Sequence, residues 1–136
     1  MGTDKQHFTI NRKHDRVDTE IPCRIGIPGA RQFDATVLNL SAGGLKLACN
    51  HETIAAIIPG DQQIPGQISD VHVTVKFSLR PINRRGMNLQ LDAMLVHSER
   101  LAQNSYHIGI QFIHIRKADA NRIENHIEEV IAARGQ

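Results

Sequence analysis

The sequence predicts a mainly β protein: a small antiparallel barrel, followed by one amphipathic helix and preceded by a flexible arm. Three observations carry this expectation. Apolar residues recur with a period of two through most of residues 21–112, the period becomes helical near the C-terminus, and residues 1–17 show no period. With 136 residues, 40% of them hydrophobic and 22% charged, the chain has about one domain's length and enough apolar material for a single core. Wholesale disorder is excluded on the same balance.

The arm comprises residues 1–17, and residues 18–136 form the barrel with its helix. Lys5, Arg12, Lys13 and Arg16 stand against Asp4 and Asp15 in the arm, which accounts for the whole formal charge of +2. Ile21, Cys23, Ile25 and Ile27 then alternate with Pro22, Arg24 and Gly26, and Pro28-Gly29 turns the chain into Phe33, Ala35 and Val37, which makes a hairpin. Leu45 and Leu47 mark a short third strand. The cleanest alternation is Val71, Val73, Val75, Phe77 and Leu79 against His72, Thr74, Lys76, Ser78 and Arg80, so that one face is buried and the other wet. Pro81 to Gly86 turns into Met87, Leu89, Leu91, Ala93 and Leu95. A polar connection from Ser98 to Ser105 then leads to Tyr106, Ile108, Ile110 and Phe112. Within residues 50–70 the reading places a short helix near Thr53–Ile58 and then a weak strand. The final helix, about 117–134, buries Ile123, Ile127, Val130 and Ile131, with Asp119 as candidate N-cap and Gly135 as stop. Such a run of strands suits a small barrel.

Several function classes are disfavoured. The longest apolar stretch, Ile54 to Ile58, is far short of the ~20 residues of a membrane span, and the N-terminus has no signal pattern, so a soluble cytoplasmic domain without direct membrane insertion is expected. Cys23 and Cys49 are too few for a disulfide framework and read as small buried hydrophobes. The eight histidines form neither His-x-x-x-His nor a finger spacing with cysteine, so no metal or other cofactor is expected. Ser41 has no evident activator and no carboxylate pair is identifiable, which argues against an enzyme.

Two local patterns carry a signal: Arg12-Lys13-His14-Asp15-Arg16 and Asn39-Leu40-Ser41-Ala42-Gly43-Gly44. An i, i+4 arginine pair is expected ~0.9 times by chance in this composition, whereas Asx-x-Ser-x-x-Gly is expected only ~0.04 times, so the second pattern carries the weight. It ends a strand and enters a turn, where Gly43 and Gly44 are expected to allow positive φ and to let a ligand approach the backbone. Consecutive N–H groups there form an anion-binding concavity, to which Ser41 adds a hydroxyl and Asn39 an amide. A guanidinium can bond a phosphate with two parallel N–H groups, bond the O6 and N7 edge of guanine, or stack on a base. Two arginines facing a glycine turn thus suit a ligand that has both phosphate and guanine.

At these residues the sequence resembles the PilZ domain family, whose pattern is Arg-x-x-x-Arg, a gap of some twenty to thirty residues, then Asp/Asn-x-Ser-x-x-Gly. The gap here, Val17 to Leu38, is 22 residues. The likeness continues through Ile21 to Ile27, Gly44-Leu45 and Ile108-Gly109-Ile110-Gln111-Phe112. It implies a six-stranded antiparallel barrel with a helix across it, and binding of cyclic diguanylate as the ligand. By the same resemblance Arg12 and Arg16 grip the ligand from the arm, Asn39 and Ser41 bond it from the barrel, and Gly44 with Gly43 keeps the turn open. Many members that hold an intercalated ligand dimer have another basic residue just before the first motif arginine. This chain has Asn11 there, included as a contact, and one or two ligands per domain stays open. The implied output is ordering of the arm and signalling to a protein partner in motility, polysaccharide or pilus machinery. Two alternatives stand beside it: a barrel for single-stranded nucleic acid, handicapped by few stacking aromatics and a barrel charge near zero, and an interaction domain of PilZ type that binds no nucleotide.

Overall fold

A computed structural model describes residues 16–58, 71–80 and 86–134. The alternating segments form β1 (Val17–Gly26), β2 (Phe33–Leu40), β3 (Gly44–Cys49), β4 (His72–Leu79), β5 (Met87–Ala102) and β6 (Ser105–Phe112). All neighbours are antiparallel, and β1 pairs with both β2 and β4, which closes a barrel in the order β1-β2-β3-β6-β5-β4. Closure leaves no open sheet edge where the ladders run. The strand that closes it, β1, begins at Val17, the last residue of the expected arm, and the Val17 side chain is buried. The expected contacts Asn11 and Arg12, the rest of the arm, the weak strand expected after residue 58 and the stop at Gly135 lie outside the described residues.

The interior is what the two-residue period promised. Ile25, Val37, Leu47, Val73, Val75, Leu79 and Ile108 are fully buried, and each such side chain contributes ~1.5–3 kcal/mol through removal of apolar area from water. The helix α1 (His51–Ile57) starts where Asn50 caps it, its Oδ1 accepting from the Thr53 N–H at 3.0 Å and hydroxyl at 3.1 Å, and it buries Ile54 and Ile57 in the same core. The helix α2 (Lys117–Ala133) buries Ile123 and Ile127, while Val130 and Ile131 are only half-buried.

Three expectations are corrected. The polar stretch from Ser98 is not a connection: β5 runs on to Ala102 and only Gln103 and Asn104 turn the chain. A β-bulge between Leu95 and His97 breaks the alternation, and beyond it most side chains of β5 are exposed, so the period of two vanishes although the strand persists. Asp119 is not the N-cap of α2. Arg116 occupies that position without a side-chain cap, and Asp119 is buried in the first turn, where it accepts from Arg116 Nε at 3.3 Å and Arg122 at 3.2 Å. Of the two cysteines, Cys23 is buried but Cys49 is only half-buried.

Candidate ligand-binding site

The site is assembled where β1 begins, β2 ends and β3 starts. Val17 and Asp18 pair with Leu40 and Asn39, which brings Arg16 beside the end of β2 across 23 residues of sequence. The exposed Arg16 guanidinium donates to Asn39 Oδ1 at 2.9 Å, so one residue from each sequence pattern meets in the folded chain. Residues Ser41 to Gly44 form the turn from β2 into β3. Ser41 N–H donates to the Gly44 carbonyl at 2.8 Å, and the buried Ser41 hydroxyl lies 3.1 Å from that carbonyl and 3.2 Å from the Gly44 N–H. The hydroxyl is thus spent within the turn. It holds the turn in shape rather than standing free as a donor to solvent.

The two glycines do different things, and neither has the positive φ expected of it. Among the described glycines positive φ occurs at Gly29, with φ 80°, and not at Gly43 or Gly44. A Cβ on Gly44 would lie 2.1 Å from the Ile110 carbonyl oxygen of β6, a backbone atom that cannot step aside. Gly44 is therefore required by the close approach of β6. A Cβ on Gly43 would meet nothing within 4 Å, and Gly43 faces open space.

This turn forms one wall of a cavity of about 470 Å³, within the volume range of small-molecule sites. Of the expected site residues Arg16, Ser41, Gly43 and Gly44 line it and Asn39 does not, and Lys46 of β3, Val96 and His97 of β5, and Gly109 and Gln111 of β6 line it too. The sequence reading missed these last five because they lie on three separate strands. The available signal was the outward phase of Lys46 and Gly109 between buried Leu45, Leu47, Ile108 and Ile110. A larger cleft of about 810 Å³ lies elsewhere, between α2 and the seam where β1 and β4 part company beyond Cys23 and Phe77. Ile21, Phe77, Leu89, His126 and Val130 line it. Burial, helped by Cys49 and Asp34, pushes the Cys23 thiol there up to about 12, and burial lowers His126, with Glu129 opposing. Among the described residues no group of His, Cys, Asp and Glu could hold a metal ion, and no helix is long and apolar enough to cross a membrane.

The described residues thus form a closed six-stranded barrel with an arginine just before its first strand and a Ser-x-x-Gly turn beside it. The family model of the PilZ domain matches residues 10–129, and the chain belongs to that family. The barrel is similar to the Bacillus subtilis inhibitor of motility MotI/DgrA, with TM-score 0.64 and 11% identity over 89% of this chain and 51% of that one. It is also similar to PlzA of Borreliella burgdorferi in complex with c-di-GMP, with TM-score 0.59 and 9% identity over 98% and 58% of the two chains. The PilZ domain of Escherichia coli YcgR with c-di-GMP gives TM-score 0.56 and 12% identity over 88% and 93%. At these identities the likeness is one of fold. The chain matches little more than half the length of the first two proteins. No curated protein matches the sequence.

Proposed function

We propose that this chain is a receptor module for cyclic diguanylate, with Arg16, Asn39, Ser41, Gly43 and Gly44 at its site and with Asn11 and Arg12 joining them from the arm. The observation that carries the reading is the 2.9 Å bond from Arg16 to Asn39, with Arg16 itself lining a cavity walled by the Ser41–Gly44 turn. Membership of the PilZ family supports it, as do structural neighbours solved with c-di-GMP. Arg16 supplies planar donors for a phosphate or a guanine edge, and exchange of the neutral Asn39 acceptor for an anionic phosphate strengthens each bond it makes. Asn39 is thereby freed to bond the ligand itself. The turn contributes backbone polarity and, at Gly43, room for approach.

The output is ordering of the arm. Fixing a residue's backbone costs ~1–2 kcal/mol, so only the segment around the arginine pair closes on the ligand. The newly placed segment and the adjacent barrel face then present a surface to a protein partner in motility, polysaccharide or pilus machinery. Calorimetry of the chain with cyclic diguanylate, GTP and a short oligonucleotide tests the reading. Binding of the first alone is expected, and binding of the oligonucleotide alone would replace the proposal with a nucleic-acid barrel.

A further inference from the structure

The barrel is closed by only part of its closing strand. β1 runs from Val17 to Gly26, but β4 pairs with it from Cys23 to Gly26 alone. From Asp18 to Pro22, the edge of β1 on that side has no strand beside it among the described residues. The opposite edge of this stretch stays on β2, through Asp18 with Asn39 and Ile21 with Val37 across a bulge. What α2 brings to the open edge is a side chain, the Arg134 guanidinium on the Asp18 carbonyl. An unpaired strand edge offers backbone donors and acceptors to any extended chain that comes alongside.

The side chains of β1 record the missing neighbour. Val17, Cys23 and Ile25 are buried, whereas Thr19 and Ile21, in the same phase but level with the gap, are only half-buried. Ile21 shares the lining of the larger cleft with the half-buried Val130 of α2 and with Phe77 and Leu89, which gives the gap an apolar side. The charged rim has a direction. Arg24 is engaged by Asp34 at 3.7 Å, which leaves Lys76, opposite Arg24 in register, as the cation at the closed end, and Arg80 continues that sign along β4. The exposed Asp18 and Glu20 carry the opposite sign on the open edge, partly offset by Arg134. Glu20 lies ~13 Å along β1 from the level of Lys76, at ~3.3 Å per residue. That is the span between the first and last side chains of an extended segment of about five residues.

We propose that this cleft is a docking groove for an extended segment of a partner protein, which adds to β1 at Asp18–Pro22. The segment runs antiparallel to β1, as both existing neighbours of β1 do. Its alternate apolar side chains meet Ile21 and Val130, its first residue is acidic and faces Lys76, and its last is basic and faces Glu20 and Asp18. The inference goes beyond the receptor reading, and its test uses no nucleotide.

The test is a two-dimensional amide NMR titration of the full chain with the acetylated and amidated peptide Glu-Val-Thr-Val-Arg, taken to millimolar concentration. Its charge-reversed form, Arg-Val-Thr-Val-Glu, and the apolar-to-polar form, Glu-Ser-Thr-Ser-Arg, are titrated beside it. The first peptide is expected to shift the amides of Thr19 to Ile21 and of Cys23 and to saturate in the millimolar range. The charge-reversed form should bind ~5-fold more weakly, the effect of two exposed ion pairs, and the serine form more weakly still. Glu20→Arg combined with Lys76→Glu should invert the charge preference at an unchanged thermal midpoint, since both side chains are exposed. Shifts confined to other strands, or no shifts at millimolar peptide, would overturn the groove. Equal binding of the two charge forms would overturn the assigned direction and rim chemistry. Each of these results leaves cyclic diguanylate binding at the Ser41–Gly44 turn to be judged on its own titration.

Discussion

Two hollows among the described residues differ in kind, and the larger is the more apolar. The cleft beside α2, at about 810 Å³, exists because β1 and β4 stop pairing at Cys23 and Phe77 and the helix bridges the gap. Its lining mixes apolar Ile21, Phe77, Leu89 and Val130 with charged Asp18, Glu20, Arg24 and Lys76, and the His126 Nδ1 there is buried without a hydrogen-bond partner among the described residues. The cavity at the Ser41–Gly44 turn, at about 470 Å³, gathers residues from the start of β1 and from β3, β5 and β6 around a hydrogen-bonded bend. Volume reports where packing fails. Recognition needs side chains and backbone groups of matching chemistry that point at one place.

That contrast can be broken at several points. The largest effect is expected from Gly44→Ala, since the added methyl collides with the Ile110 carbonyl. Unfolding in urea should show a loss of ~3 kcal/mol. A parent-like midpoint would mean that β6 can retreat and that Gly44 serves the ligand rather than the fold. Arg16→Ala should weaken cyclic diguanylate binding ~10-fold or more with no change in thermal midpoint, because the side chain is exposed and its bond to Asn39 is at the surface. Retained affinity would move the site away from this turn. Ser41→Ala should cost ~1–2 kcal/mol of stability, because the Gly44 N–H loses the hydroxyl it bonds.

The smallest effects concern the larger cleft and the open glycine. Burial lowers the His126 pKa, so the unfolded chain takes up the proton first as pH falls through the usual histidine range. The stability due to the neutral ring is present above that range and lost below it. His126→Leu should flatten this acid-side slope in thermal melts and leave ligand affinity unchanged, and a loss of affinity would reassign the ligand to the cleft beside α2. Gly43→Ala should stay within ~0.5 kcal/mol of the parent in stability, since nothing lies near its added methyl.

Much of this architecture was legible from alternation alone, because a barrel wall with one wet face imposes a period of two that few other structures share. One failure comes from a bulge. At Val96 an inserted residue flips the phase, and the following stretch to Ala102 looked like a loop. The candidate site was legible as far as it is local in sequence. The turn from Asn39 to Gly44 declared itself, whereas the row through Lys46, Gly109 and His97 exists only once three strands are in register. Ser41 and Gly44 were recognised by type, but the part each has in holding the turn was not legible. Their partners, a neighbouring N–H and a carbonyl on β6, are invisible until the chain is folded.

The bond from the Arg134 guanidinium to the Asp18 carbonyl has a practical corollary. It ties the end of the last helix to the strand that carries Arg16, across 116 residues of sequence. Anything fused after residue 134 is delivered next to the entrance strand. A pair of fluorophores placed at the end of the last helix and near Asp18 would thus start close together, and their energy transfer would report any separation of the helix end from that strand as a drop from a high baseline.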